Sequence, residues 1–140
     1  MISQQSIYSD RLRIPATLEE LQHVYGWAEE QLAAAGIDES RRYDIMLALS
    51  EAVTNAIRHG SSQLHNATVD VEVAVTNDSV CIKVSDQGTG FDPEQIPDPT
   101  EGHNIFIPHG RGVYLIRTLA DEVSFDFSED GTTVTVNFKT

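Results

Sequence analysis

The sequence predicts an α+β fold, a two-layer α/β sandwich in which a mixed, mostly antiparallel sheet carries helices on one face. Three observations lead there. Two amphipathic helical periods fill residues 18–60, valines and isoleucine alternate with other residues between Val69 and Val84, and apolar residues alternate again from Val123 to Phe138.

In chain order, SIYSDRLRIPA (residues 6–16) reads as a strand ending near Pro15. Thr17 opens a capping box with Glu20, and Leu18, Leu21, Tyr25, Ala28 and Leu32 recur at helical spacing until Gly36 closes the helix. Asp38 gives a second start signal, for a helix running to a stop at Gly60. Val69, Val71, Val73 and Val75 then alternate with polar or small residues, the turn Asn77, Asp78, Ser79 follows, and Val80, Ile82 and Val84 complete a hairpin with one buried face. Residues 87–109, Gln87 to His109, are rich in Gly, Pro, Asp and Asn, and a connection that long is usually functional or mobile. Helical spacing returns from Gly112 to Asp121 through Val113, Ile116 and Leu119. Val123, Phe125 and Phe127 alternate, an SEDG turn follows, and Val134, Val136 and Phe138 form the last strand. No repeat or second domain is visible, so a single domain over residues 1–140 is expected.

A chain of 140 residues buries about two thirds of its unfolded surface without metal or disulfide staples. The single cysteine, Cys81, excludes an internal disulfide framework and a cysteine metal cage, and suits a reducing compartment; it is expected as a small buried strand residue. The N-terminus lacks a cationic start followed by an apolar run, and no apolar stretch approaches a membrane span, which points to the cytoplasm. Nine Lys plus Arg against 22 Asp plus Glu give a net charge of -13, which disfavours nucleic acid and anionic membrane as partners. A polyphosphate remains possible through backbone N–H groups, a divalent cation and one or two placed cations.

The chemistry gathers in four places. LSEAVTNAIRHG (residues 49–60) sets Glu51, Asn55 and His59 four residues apart on one helix side, while Met46, Leu49, Val53, Ala56 and Ile57 occupy an apolar face. VSDQGTGFDP puts Asp86 where a strand gives way to Gly88 and Gly90, although alone this is also an ordinary Asp and Gly turn. HGRGVYLI places Gly110, Arg111 and Gly112 at a helix start, where unpaired N–H groups favour a phosphate, and alone this is equally an ordinary loop before a helix. Gly131, Thr132 and Thr133 open the last strand. There is no GxxxxGK[ST], and no GxGxxG in a parallel strand–helix unit, so P-loop and Rossmann readings are poor.

ExxxNAxxH at Glu51 to His59, DQGTG at Asp86 to Gly90, GRG at Gly110 to Gly112 and GTT at Gly131 to Thr133, in that order, resemble the N, G1, G2 and final boxes of the GHKL ATPase superfamily. Within it the chain is similar over nearly its whole length to the anti-sigma factor serine/threonine kinases of bacterial partner-switching systems. The resemblance implies a Bergerat-type ATP-binding fold with ATP and Mg²⁺ as cofactors. It implies that Asn55 ligates the metal through its side-chain oxygen and that Asp86 accepts a hydrogen bond from the adenine amino group. Thr132 would support the same edge, directly or through water, and the backbones at Gly88, Gly90, Gly110 and Gly112 would line the nucleotide under a lid of residues 91–109. Arg111 is placed near the phosphates by position and charge, and His59 is read as ending the helix.

Glu51 separates enzyme classes. A serine or threonine hydroxyl needs a base to accept its proton, whereas a neutral imidazole attacks phosphorus without one. Glutamate where related histidine kinases usually carry an amide favours hydroxyl phosphorylation. The resemblance thus implies a Mg-ATP-dependent serine/threonine kinase whose substrate is an anti-sigma factor antagonist (a STAS-type protein), which also sequesters a sigma factor and forms a homodimer. The alternatives are the same kinase in a pathway without a sigma factor, and an ATP-binding interaction module without catalysis. A detached histidine-kinase domain is disfavoured because no preceding helical hairpin offers a phosphoacceptor histidine.

Overall fold

Five strands, β1 (Tyr8–Pro15), β2 (Thr68–Val75), β3 (Ser79–Asp86), β4 (Glu122–Ser128) and β5 (Gly131–Lys139), form one sheet in the order β1-β2-β3-β5-β4. Every ladder is antiparallel. The computed structural model describes residues 8–61, 67–87, 115–128 and 131–140. Between β1 and β2 come a 3-10 turn (Leu18–Glu20), α1 (Leu21–Ala34) and α2 (Glu39–Ser61), and residues 115–119 are helical before β4.

The period-two pattern puts one face of the sheet into the core. Val69, Val71, Val73 and Val75 of β2, Val80, Ile82 and Val84 of β3, and Val134, Val136 and Phe138 of β5 are all buried. They meet Val24, Ala28 and Leu32 of α1 and Ile45, Leu49, Val53 and Ile57 of α2, so the helices cover this face. On the other face Arg11 pairs with Glu72 and Arg13 with Asp70 across β1 and β2. Pro15, lacking an N–H, sits at the end of edge strand β1, where the ladder tolerates it.

Several local expectations change. The Thr17–Glu20 capping box does not form: the Glu20 N–H donates to the Thr17 carbonyl at 3.1 Å in the 3-10 turn, leaving Thr17 with no side-chain cap bond. Leu18 stays half exposed, and Val24 rather than Tyr25 shares the buried face of α1 with Ala28 and Leu32. The Tyr25 hydroxyl instead bonds Ser50 Oγ at 2.9 Å, linking the two helices. Asp38 does cap α2, its Oδ2 accepting from the Ser40 N–H at 3.3 Å and from Ser40 Oγ at 2.6 Å, and the helix runs one residue past Gly60. Cys81 lies on the face away from the helices and is only half-buried, because it falls on the outward set of β3. Phe127 alternates as expected but remains 42% exposed on the edge strand β4. The start of the Gly112–Asp121 helix lies outside the described residues.

An anchor fixes how α2 lies on the sheet. Arg41 Nε donates to the Lys139 carbonyl at 3.0 Å and its Nη2 to Asp121 Oδ2 at 2.6 Å, while the guanidinium sits 5.2 Å from the Phe138 ring centroid. Asp121 Oδ2 also accepts from the Lys139 N–H at 2.7 Å. The first turn of α2 is therefore tied to the C-terminal end of β5. At the other end, residues 62–67 connect α2 to Thr68, which pairs with Pro15, so α2 spans the sheet from the Lys139 end toward the Asp86 end. Between Arg41 and Asn55 the helix rises about 21 Å, and between Lys139 and Thr132 the strand covers about 23 Å. Asn55 thus comes roughly level with Thr132.

The Asp121 carboxyl is held below the usual carboxylate range, first by the Lys139 N–H and then by the Arg41 charge. A group depressed in the folded state contributes stability above its unfolded pKa, near ~4, and loses it as pH falls through the lower folded value. Asp121→Asn is therefore expected to unfold at lower urea than wild type at neutral pH, with the two midpoints converging as pH falls through the depressed folded-state value.

Candidate functional site

The β3–β5 ladder sets Asp86 directly opposite Thr132, and the β4–β5 ladder sets Phe127 opposite Thr132. Asp86 and Thr132 continue the inward-facing set of their strands at the end of the sheet. They are 8% and 2% exposed, the two polar side chains buried among the described residues. Thr132 Oγ1 is buried without a hydrogen-bond partner among them. A buried hydroxyl without a partner costs stability, which makes Thr132 and the buried carboxylate beside it candidates to face a ligand.

Gly131 explains why GTT begins with glycine. Its φ is +149°, and a Cβ there would collide with the Asp86 carbonyl oxygen and lie 2.9 Å from Gln87 Cα. The backbone of β5 crosses the end of β3 too closely for any side chain. That crossing brings Thr132 beside Asp86.

Glu51 and Asn55 sit one turn apart on α2, each half-buried beside the buried Ala52, Val53 and Ala56. The backbone of His59 belongs to α2, while its side chain lies outside the described residues. Gly88, Gly90, Gly110, Arg111, Gly112 and the expected lid, residues 91–109, also lie outside them. Gln87, next to Asp86, is a residue that the sequence pattern did not single out. Its Oε1 accepts from the Thr68 N–H at 2.8 Å and its Nε2 donates to Thr68 Oγ1 at 3.2 Å. Only its place between the strand-ending aspartate and the first glycine could have drawn attention to it.

The donor set fits adenine and a hydrated divalent cation. A buried carboxylate accepts from an exocyclic amino group, and a neighbouring hydroxyl serves a ring nitrogen or a bridging water. No group of three or more His, Cys, Asp or Glu gathers around a metal position among the described residues. The Asn55 amide oxygen is a hard ligand suited to Mg²⁺, which takes most of its coordination from phosphates and water.

A helix layer over an antiparallel sheet, with a buried polar pair at the sheet's end, defines a GHKL-type ATP-binding fold. Solved structures share it: the RsbU and RsbW domains of a Mycobacterium tuberculosis protein superpose with a TM-score of 0.69 at 23% identity, over 94% of this chain and 31% of that one. The catalytic domain of the histidine kinase ThkA superposes with a TM-score of 0.55 at 17% identity, over 93% of this chain and 95% of that one. Residues 14–138 match the histidine kinase-like ATPase domain family, and the chain belongs to it. Among curated relatives, the serine-protein kinase RsbW of Staphylococcus aureus (strain MSSA476) is 29% identical over 132 residues, covering 89% of this chain and 82% of the relative.

The orphaned Thr132 hydroxyl yields a prediction of opposite signs. Thr132→Val keeps the shape and removes the unsatisfied oxygen, so urea denaturation without nucleotide should show stability unchanged or raised by about 1 kcal/mol. ATP affinity, measured by calorimetry, should fall.

Proposed function

We propose that this chain is a Mg-ATP-dependent serine/threonine protein kinase of a bacterial partner-switching system, phosphorylating an anti-sigma factor antagonist and sequestering a sigma factor. Membership of the ATPase family and the similarity to proteins named serine-protein kinase RsbW support kinase chemistry. The observation that supports the reading on this chain's own residues is the buried Asp86–Thr132 pair, a carboxylate and a hydroxyl facing each other across the β3–β5 ladder, with Thr132 Oγ1 unpartnered among the described residues. We also propose that the chain is a single catalytic domain that works in the cytoplasm as a homodimer. No helix among the described residues is long and apolar enough to cross a membrane.

In this reading the Asp86 carboxylate accepts from the adenine amino group and Thr132 supports the adjacent edge. Asn55 presents its amide oxygen to the metal, which when bound neutralises phosphate charge. Glu51, one helical turn earlier, accepts the proton of the substrate hydroxyl as that oxygen attacks the γ-phosphorus and the bond to ADP breaks. Phosphoryl transfer asks mostly for positioning and electrostatic stabilisation, and a half-buried carboxylate on a rigid helix supplies a fixed base. The phosphate added to the antagonist then changes its charge, which alters how it docks on an acidic surface.

Glu51→Gln tests the assignment with little change of shape. Phosphate transfer to a purified antagonist should fall by about 100-fold or more, while ATP binding by calorimetry stays within a few-fold of wild type. Transfer at the wild-type rate would remove Glu51 as the base.

A further inference from the structure

We infer that Gln87 is a positioning residue for the nucleotide: its amide clamps the start of β2 and thereby fixes the strand end that carries Asp86. The inference rests on the proposed nucleotide site and adds to it a residue that makes no contact with the ligand.

The geometry is specific. Gln87 follows Asp86 directly and precedes the first glycine of DQGTG, so the chain leaves the sheet at this residue. Its side chain spans to the neighbouring strand and makes both hydrogen bonds of which one amide face is capable, accepting from the Thr68 N–H at 2.8 Å and donating to Thr68 Oγ1 at 3.2 Å. The regular β2–β3 ladder is registered from Asp70↔Ser85 to Val75↔Val80 and stops short of Thr68. The side chain therefore continues, by two bonds, a pairing that the backbone no longer makes.

Both ends of this clamp matter for the site. Thr68 is the first residue of β2, reached from α2 through residues 62–67, and α2 carries Glu51 and Asn55. On the other side the clamped backbone is hemmed in by β5, since a Cβ on Gly131 would lie 2.9 Å from Gln87 Cα. Gln87 is thus held between β2 through its side chain and β5 through its backbone, and Asp86 is the residue immediately before it. A carboxylate aimed from a freely moving strand end would pay an ordering cost on each binding event; a clamped one does not. A side-chain bridge does here what a further ladder bond would do.

A double-mutant cycle with steady-state kinetics tests this. Gln87→Leu keeps volume and loses both bonds; Thr68→Val loses only the lateral bond and keeps its own N–H. Gln87→Leu should raise KM for ATP about tenfold with kcat within about twofold, and Thr68→Val should raise it less. The double variant should match Gln87→Leu alone, since the two substitutions remove one shared interaction. Thermal unfolding without nucleotide separates a stability effect from a binding effect. An unchanged KM in Gln87→Leu, a loss confined to melting temperature and kcat, or multiplicative effects of the two substitutions would each overturn the clamp. Calorimetry of the wild type with Mg-ATP distinguishes the two levels of inference: no binding there defeats the nucleotide reading itself, whereas wild-type binding with an unaffected Gln87→Leu defeats only the clamp.

Discussion

The passage of β5 across the end of β3 at Gly131 is the constraint on which the rest of the site depends. Only glycine allows the two backbones to come so close and to hold φ at +149°. Once they do, the ladder register follows, and it places Thr132 opposite Asp86 and Thr133 opposite Ser85. The second pair points outward, where Ser85 Oγ and Thr133 Oγ1 bond each other at 3.0 Å. The first points inward, where Thr132 finds no partner among the described residues. One register therefore gives a hydrogen-bonded pair on the open face and a buried pair on the helix-covered face, in which the Thr132 hydroxyl has no partner among the described residues.

Two side-chain bridges flank that crossing, one tying the helix layer to the sheet and the other tying two strands together. At one end Arg41 joins the first turn of α2 to Lys139 and Asp121. At the other, Gln87 joins the exit of β3 to the start of β2. Between them the contact is apolar, valine and isoleucine of the sheet against alanine, leucine and isoleucine of α2. Such packing supplies most of the stability but little directionality. The polar bridges supply the directional restraint, and they sit where the strands stop.

Much of this was legible in the sequence because the core is built on clean periods. The alternation of Val69 to Val75 reappears residue for residue as burial, and the two helices occupy the expected segments. Asp86 and Thr132 were legible too, through motifs whose glycines and acids stand in a fixed order. What escaped was set by tertiary contacts rather than by period. Tyr25 and Val24 are adjacent and both fit a helical stripe, and only the position of Ser50 on α2 decides that the tyrosine turns aside. The Thr17 cap failed because a 3-10 bond used the N–H that the side chain would have met. Gln87 left no mark, because an amide after a strand means nothing until its neighbour across the sheet is known.

The charge of the chain bears on how such a site binds a polyphosphate. At a net charge of -13 the long-range field opposes an anionic ligand. Arg11, Arg13, Arg41 and Arg42 are engaged with Glu72, Asp70, Asp121 and Glu29, so their charges are compensated locally. On the proposed reading, the end of the ligand that carries no charge and a cation that arrives with it would both contribute to affinity. A buried carboxylate and hydroxyl would recognise the neutral base by short-range hydrogen bonds that salt does little to screen, and a bound metal would offset the phosphate charge. Specificity would thus reside at the sheet's end, where Asp86 and Thr132 are held by backbone register, and the chemistry on the helix above it. Basic partner surfaces would gain from the same field that opposes a bare nucleotide, so on that reading one charge distribution would favour a basic protein substrate and set a metal-bound nucleotide above a free one.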